Sequence, residues 1–312
     1  MDYNQKFIPE GWNEISKAFS LDELNTASLN GNIIEAKVTK CDSNYNLYLD
    51  LGNSITGIIP REEVEAINVD ETGFPKPNIC TSKIDKFVQF KVKDTSKKDA
   101  VILSRKAVGK EAIKWMMNDL KEGMCVCGIV KNIRPYGAFV EIGGGIVGLV
   151  HIEDISIARI KSPFERFKIG QKINIMIKSI DRKTNRVILT YKETLGTWEE
   201  NIQEFKEGMT VKAVAREKEK SKNGIFVELK PNLVGLAEYK ENIEYGQNVN
   251  VYIKKIIPEK KKVKLLIVWC RGEMSSPAKN INVKHCRGGQ TCLPVLRINS
   301  NLNKGGHNYG RR

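Results

Sequence analysis

The sequence predicts a mainly β protein built from three small barrels in tandem. Short runs rich in β-branched residues recur along the 312-residue chain, and part of the chain repeats. The segment Lys121-Glu122-Gly123-Met124 returns as Lys206-Glu207-Gly208-Met209, and similar strand-like runs follow both copies. A weaker copy precedes them at residues 36–60. Three similar units indicate three small domains rather than two large ones.

The repeat and the changes in composition divide the chain into seven parts. They are an N-terminal helical segment (1–27), a first barrel (28–107), a helical linker (108–120), a second barrel (121–194), a helical linker (195–205), a third barrel (206–268) and a basic tail that we expect to be disordered (269–312).

Each predicted helical part, the first with its helix at residues 10–19, carries one tryptophan, at the positions Trp12, Trp115 and Trp198. Apolar residues recur around them at spacings of three and four, which favours a helix. We expect these rings to pack each helix on a barrel, because a ring that stacks on a base would lie on a strand face.

The second unit shows the strand pattern most clearly. The runs AFVEI, GLVHI, INIMIKSI and RVILTY have strand length and follow an imperfectly alternating stretch at residues 125–133. Glycines at 143–145 predict a tight turn, and residues 155–170 form the one long interruption, a loop or short helix broken by Pro163. Five short strands with a connector between the third and fourth are typical of the OB-fold barrel.

The charge balance favours a polyanionic partner. The chain has 51 Lys+Arg against 37 Asp+Glu, a formal net charge of +14. Nucleic acid is the usual partner of such a surplus, although a merely solvated basic surface would give the same count. The first unit is nearly neutral, so the surplus belongs to the second and third units and to the tail.

The compartment follows from features of the whole chain. Its first twenty residues are acidic and lack an apolar core, unlike a secretory signal, and no run is long enough to cross a bilayer. Seven cysteines in a chain of this length favour reduced thiols. Cys125 and Cys127 are expected to be strand thiols rather than zinc ligands. We therefore expect a cytoplasmic protein with no membrane partner, no metal and no cofactor.

The tail does not fit the repeats. It is rich in Asn, Gly and Arg, and its cysteines and histidines match no compact zinc-site spacing. A disordered basic extension is favoured, while a sequence foreign to the repeats and a zinc site stay open.

Aromatic and basic residues of the second unit are the candidate binding residues. Tyr136 and Phe139 flank Gly137-Ala138; a kink at Gly137, as a bulge, would turn both rings to one face, whereas a regular strand would bury one of them. Aromatic rings interleaved with cations are what single-stranded nucleic acid requires, because every base can stack and cations follow the phosphates. The other candidates are His151, Asp181, Arg186, Lys131, Arg134 and Lys178. Asp181 is interpreted as a turn residue that orients Arg186 or as an acceptor for a base edge.

The second unit resembles the S1-type RNA-binding domain almost from end to end. The matching residues are Gly128-x-Val130, Tyr136 to Ile142, Gly148 to Ile152, Ile180-Asp181 and Arg186 to Thr190. The resemblance implies an OB-fold whose RNA-facing positions are Tyr136, Phe139, His151, Asp181 and Arg186.

The other two units depart from this motif. The first keeps rings at Tyr45 and Tyr48, but Pro60 stands at the histidine position and Ala100 near the arginine position. The third keeps Phe226, and Lys262 falls near the arginine position. Tyr45, Tyr48, Phe226 and Lys262 are therefore weaker RNA-binding candidates, and the resemblance favours a docking role for the first unit.

Residues 1–268 together resemble a short member of the bacterial ribosomal protein S1 family. The resemblance implies a non-enzymatic protein that binds single-stranded mRNA, associates with the small ribosomal subunit and takes no small-molecule substrate. The alternative is an RNA-binding adaptor that acts in RNA decay or transcription regulation without the ribosome. An enzyme is disfavoured, because barrels and linkers occupy these residues and no nucleophile–base pair or phosphate-binding loop is found.

Overall fold

The computed structural model describes residues 5–13, 17–67, 69–97, 100–218 and 223–268. Its strands form three closed five-stranded barrels, which confirms the predicted mainly β fold class. In each barrel the third strand pairs in parallel with the fifth, and the other neighbours are antiparallel. The predicted tail lies outside the described residues. No helix within the described ranges is both long and apolar enough to cross a membrane.

The first barrel is flanked by two of the longer helices. Its elements are α1 (Leu21–Asn30), β1 (Ile34–Cys41), β2 (Leu47–Asp50), β3 (Thr56–Ile59), α2 (Pro77–Thr81), β4 (Phe87–Lys97) and β5 (Ala100–Ser104), and α3 (Arg105–Asn118) leads to the second barrel.

The second and third barrels are joined by a short helix. The second consists of β6 (Cys125–Arg134), β7 (Gly137–Gly143), β8 (Ile146–His151), β9 (Lys172–Asp181) and β10 (Arg186–Thr190). Helix α4 (Trp198–Ile202) follows, and the third barrel consists of β11 (Thr210–Lys218), β12 (Ile225–Lys230), β13 (Leu233–Ala237), β14 (Asn248–Ile257) and β15 (Lys262–Val268).

The helix predicted at residues 10–19 is wrong in position. The described residues 5–13 and 17–20 carry no helix, and the first helix that the structure describes begins at Leu21. Gly11 has a φ of +82°, outside the helical region, whereas Ser20 and Glu23 form a reciprocal capping box that starts α1. Leu24 and Ala27 of α1 belong to the core of the first barrel, so the predicted boundary at residue 27 falls inside this helix.

Residues 5–13 form a strap between the first two barrels. Phe7 is buried in the core of the second barrel, where its ring lies 5.5 Å from that of Trp115. Glu10 contacts the first barrel, since its carboxylate accepts a hydrogen bond of 3.0 Å from the backbone N–H of Gln89. The strap therefore ties both barrels together.

The three tryptophans differ in their surroundings. Trp115 lies in the core of the second barrel, and Trp198 packs against the core of the third, as expected for helices that dock on barrels. Trp12 lies in the strap outside any helix, and the ammonium of Lys172 is 6.0 Å from its ring centroid.

The long interruption of the second barrel joins it to the third. Only Pro163–Glu165 within it forms a short 3-10 helix. Nearby, Arg166 and Arg216 both contact the carboxylate of Glu228 at 2.6 Å, and Arg216 also contacts Glu165 at 2.6 Å. The segment therefore contacts both barrels, since its residues Ile155 and Phe167 lie in the core of the second barrel.

Candidate nucleic-acid interface

Strand register places the predicted aromatic site on one outward face of the second barrel. Phe139 of β7 is paired with Asn132 of β6 on one side and with Leu149 of β8 on the other. Gly137 is paired with His151, two positions along the same face. Side chains alternate between the two sides of a strand, so Phe139, Leu149 and His151 all point away from the core.

Tyr136 and Phe139 lie together on this face. Their rings are in edge-to-face contact, with centroids 6.2 Å apart and an interplanar angle of 86°. Tyr136 is 50% exposed because it lies in the turn before β7, outside the strand alternation. The alternative of one buried ring is therefore wrong.

The cause of this arrangement is not a bulge at Gly137. The register of β6 and β7 shifts instead between Val130 and Asn132, on the neighbouring strand. Glycine is needed at 137 for another reason: a Cβ there would lie 2.3 Å from the carbonyl oxygen of Val150. The close approach of β7 and β8 at this point positions His151 beside the turn that carries Tyr136.

His151 ends β8 and caps the short 3-10 helix that follows. Its Nδ1 accepts a hydrogen bond of 3.5 Å from the backbone N–H of Glu153, and the Glu153 carboxylate is 3.7 Å away. The side chain is 45% exposed. By strand register, His151 therefore lies beside the turn that carries Tyr136, at the rim of the aromatic pair.

Asp181 and Arg186 close the hairpin between β9 and β10, where they are direct partners. The Asp181 carboxylate accepts hydrogen bonds from the Thr184 hydroxyl and from the backbone N–H groups of Lys183 and Thr184. The Thr184 hydroxyl and these N–H groups lower the pKa of Asp181. Asp181 therefore shapes the turn that presents Arg186, which is the first of the two roles considered for it.

The predicted cations divide into two kinds. Lys131 is bound to the Glu141 carboxylate at 2.8 Å and to the Glu10 carbonyl at 2.9 Å, and Lys178 is bound to Asp154 at 2.7 Å. Arg134 and Arg186 are exposed and form no ion pair among the described residues. Two guanidinium groups are thus free to meet phosphate, and the two lysines are held by carboxylates.

The carboxylate partner of Lys131 was missed by sequence reasoning. Glu141 is two residues after Phe139, so strand alternation alone places it on the same face. It is buried because the strap covers it, and the backbone N–H of Glu10 donates to it at 3.0 Å. Burial, followed by the charge of Glu10, raises the pKa of Glu141. The strap thus ends the open part of the face.

The weaker candidates have different surroundings. In the first barrel, the Arg61 guanidinium lies 5.1 Å from the Tyr45 ring centroid, and the Tyr48 hydroxyl donates to Asp42 at 3.2 Å. In the third barrel, Phe226 is exposed beside Leu236, and Lys262 starts β15. Lys262 and Arg186 occupy matching positions, since each directly precedes the residue that lies against the central glycine of the third strand: Val263 against Gly235, and Val187 against Gly148. By the same register, Ala100 matches them in the first barrel.

None of the described residues form a cluster of three or more metal-ligating side chains.

Comparison with known proteins agrees with this geometry. Residues 30–106 and 119–192, the first and second barrels, match the S1 RNA binding domain. Small ribosomal subunit protein bS1 of Staphylococcus aureus is 34% identical over 254 residues, covering 76% of this chain and 62% of that protein. Through its first two barrels, the chain belongs to the S1 domain family.

The similar proteins differ in the share of their length that this chain covers. The bS1 protein of Pseudomonas aeruginosa is 29% identical over 308 residues, covering 93% of this chain and 50% of that protein. This S1-domain chain thus spans between half and two thirds of the length of these relatives. A solved multidomain protein with nucleic acid binding domains from Streptococcus pneumoniae is 14% identical, with a TM-score of 0.24 over 76% of this chain and 73% of that one.

Proposed function

We propose that this S1-domain chain binds single-stranded RNA, and mRNA in particular, on the outward face of its second barrel. It acts by binding rather than by catalysis, in the cytoplasm, as a protein of translation associated with the small ribosomal subunit. The observation that carries the proposal is the open pair of rings, Tyr136 and Phe139, with His151 at its rim and two unpaired arginines beside it.

The chemistry of the face suits an unpaired strand. A base can stack on an exposed ring in any sequence, and each stacked base contributes about 1–3 kcal/mol. Arg134 and Arg186 are available for the phosphates that connect those bases, and the fork of a guanidinium group matches a phosphate oxygen pair. A duplex would offer neither its base faces nor the same backbone spacing, so we expect a preference for single strands.

The Phe139→Ala variant tests the site. Loss of the ring removes one stacking surface, so we expect a pyrimidine-rich RNA strand to bind about 1–3 kcal/mol more weakly. His151→Ala should have a smaller effect, because the imidazole lies at the rim. Fluorescence anisotropy with a labelled oligonucleotide measures both affinities.

Phe164→Ala is the matched control for this experiment. Phe164 belongs to the same barrel and is exposed, but lies on the connector rather than on the aromatic face. The Phe164→Ala variant should bind RNA with the affinity of the wild type. Circular dichroism checks that the Phe139→Ala variant is folded. If the folded variant keeps full affinity for RNA, the site assignment is wrong.

The ribosomal partner needs a separate experiment. Association with the small subunit is supported by the relatives, which are named small ribosomal subunit protein bS1. The present chain spans only part of those proteins, so the association has to be measured directly. We expect the protein to co-sediment with small ribosomal subunits at moderate salt. Protein that remains entirely at the top of the gradient while still binding RNA would favour the ribosome-independent adaptor instead.

A further inference from the structure

A groove continues the aromatic face toward the first barrel. It has a volume of about 750 Å³, within the range of about 300–1,000 Å³ that is usual for ligand sites. One wall comes from the second barrel and includes Asn132, Arg134, Tyr136, Phe139, Val147 and Arg186. The other wall comes from the loop at residues 65–67 of the first barrel and from the start of α3. The groove therefore opens directly off the ring pair.

The charges in this groove leave a positive balance. Its one acidic lining residue, Glu65, is bound to Arg105 at 2.8 Å and to Lys83 at 3.4 Å. Arg134 and Arg186 form no ion pair among the described residues, and Asp181, the strand partner of Arg186, does not line the groove. A phosphate that entered the groove would thus meet two available guanidinium groups and a neutralised carboxylate.

The wall from the first barrel also has an apolar surface. Ile67 is half-buried and lines the groove, but it is not part of the hydrophobic core of the first barrel. Val147, on the facing wall, is 45% exposed. Asn132 also lines the groove and is exposed; its Oδ1 accepts a hydrogen bond from the backbone N–H of Ile133, which leaves its amide N–H groups to donate to a base edge. Such a mixture of apolar walls, an amide and free cations suits a nucleotide better than a folded protein surface.

We propose that a single RNA strand bound on the second barrel continues into this groove, so that Ile67 of the first barrel contacts a nucleotide. This inference rests on the proposed RNA-binding function and adds the direction in which the strand leaves the ring pair. It also gives the first barrel a part in RNA binding that does not use its own aromatic face.

Oligonucleotide length separates the two parts of the path. OB-fold sites cover about 4–16 nucleotides, so an RNA of about 4 nucleotides can occupy the ring pair alone, and one of about 12 nucleotides also reaches the groove. Both are bound to the full chain and measured by fluorescence anisotropy. Phe139→Ala should weaken both RNAs, since both need the rings.

Opposite charges at one position distinguish contact from structural damage. We expect Ile67→Glu to weaken the longer RNA about fivefold through repulsion of its phosphates, and Ile67→Lys to strengthen it. Neither variant should change the shorter RNA. Leu29→Glu is the matched control: it makes the same change on the first barrel at a residue that is 88% exposed and does not line the groove.

Each outcome decides the proposal. Opposite shifts for the two Ile67 variants, confined to the longer RNA, support a path through the groove. Wild-type affinity in both variants, or equal weakening in both, would overturn it. If Phe139→Ala leaves both RNAs unaffected, the proposed function itself fails, which is a different result from the failure of the groove.

Discussion

The first and second barrels have the same strand order, yet their aromatic faces are in different states. In the second barrel, Tyr136 and Phe139 contact each other and no described cation lies over either ring. In the first barrel, Arg61 is stacked between two rings, 5.1 Å from the centroid of Tyr45 and 5.3 Å from that of Phe74. In the first barrel, Arg61 therefore occupies the face of Tyr45 on which a base would otherwise stack.

The segment between the third and fourth strands accounts for this difference. In the first barrel it carries Arg61 and Phe74, and the Arg61 guanidinium donates to the Pro75 carbonyl at 2.9 and 3.2 Å. In the second barrel the corresponding segment, residues 155–170, is held against the third barrel by Arg166 and Glu165. The two connectors therefore differ in what they place over the rings: the first places Arg61 over Tyr45, and the second places no described cation over Tyr136 or Phe139.

The largest expected effect concerns the strap that joins the two barrels. Glu10 is buried, and Arg105 holds its carboxylate with distances of 2.7 and 3.0 Å. We expect Glu10→Gln to lower the free energy of unfolding by about 3 kcal/mol. This value is near the lower limit for breaking a buried ion pair, because Arg105 still forms its ion pair with Glu65 in the variant. Urea unfolding measures it, with the exposed Glu62→Gln as the control.

The same variant has a defined pH dependence. Burial alone would raise the pKa of Glu10, but the charges of Arg105 and Lys83 outweigh it and lower the pKa from 4.5 to about 2. Because the pKa is depressed on folding, this stabilisation is present above pH 4.5 and is lost as the pH falls toward 2. The difference in stability between wild type and Glu10→Gln should shrink over that range. A constant difference would mean that the carboxylate charge is not what stabilises the strap.

The fold and the centre of the site could be predicted from the sequence because they depend on local pattern. The repeat, the strand runs and the motif at Tyr136, Phe139 and His151 are all contained within single units. Even the start of α1 was legible, since Ser20 and Glu23 have capping-box spacing. The prediction of a helix at residues 10–19 used only the apolar spacing around Trp12 and did not consider this capping box.

Contacts between units could not be predicted in the same way. Phe7 packs in a barrel that begins more than a hundred residues later, and a single ring in a polar segment has no period that would reveal it. Lys131 and Lys178 were assigned to phosphate by their position on strands, yet buried carboxylates hold them. Only the three-dimensional arrangement distinguishes such lysines from the unpaired Arg134 and Arg186.

A second prediction tests the covered face of the first barrel. Arg61→Ala removes two hydrogen bonds and the stacking on Tyr45 and Phe74, so we expect a loss of about 1–2 kcal/mol in stability. Arg61→Lys keeps the positive charge but not the forked guanidinium group, so its stability should lie between that of the wild type and that of Arg61→Ala. RNA affinity should stay unchanged in both, because the first barrel still has Ala100 at the position where the second has Arg186. Tighter RNA binding by Arg61→Ala would mean that Arg61 blocks a face that can bind.

The smallest expected effect concerns Arg186, whose matching positions are Lys262 in the third barrel and Ala100 in the first. Arg186→Ala should weaken RNA binding by about 1 kcal/mol and reduce the salt slope of the affinity by about one, since one phosphate contact is lost. Anisotropy titrations between about 50 and 200 mM salt measure both quantities.

The matching positions give this prediction its controls. Ala100→Arg places the missing cation on the first barrel, and we expect no gain in affinity because Arg61 still covers Tyr45. Lys262→Ala removes the corresponding cation of the third barrel. If Lys262→Ala lowers the salt slope as much as Arg186→Ala does, the strand also follows the third barrel, and the open face is not unique to the second. If Ala100→Arg raises the affinity, the two faces differ in RNA binding because the first barrel lacks a cation at position 100, and not because Arg61 covers Tyr45.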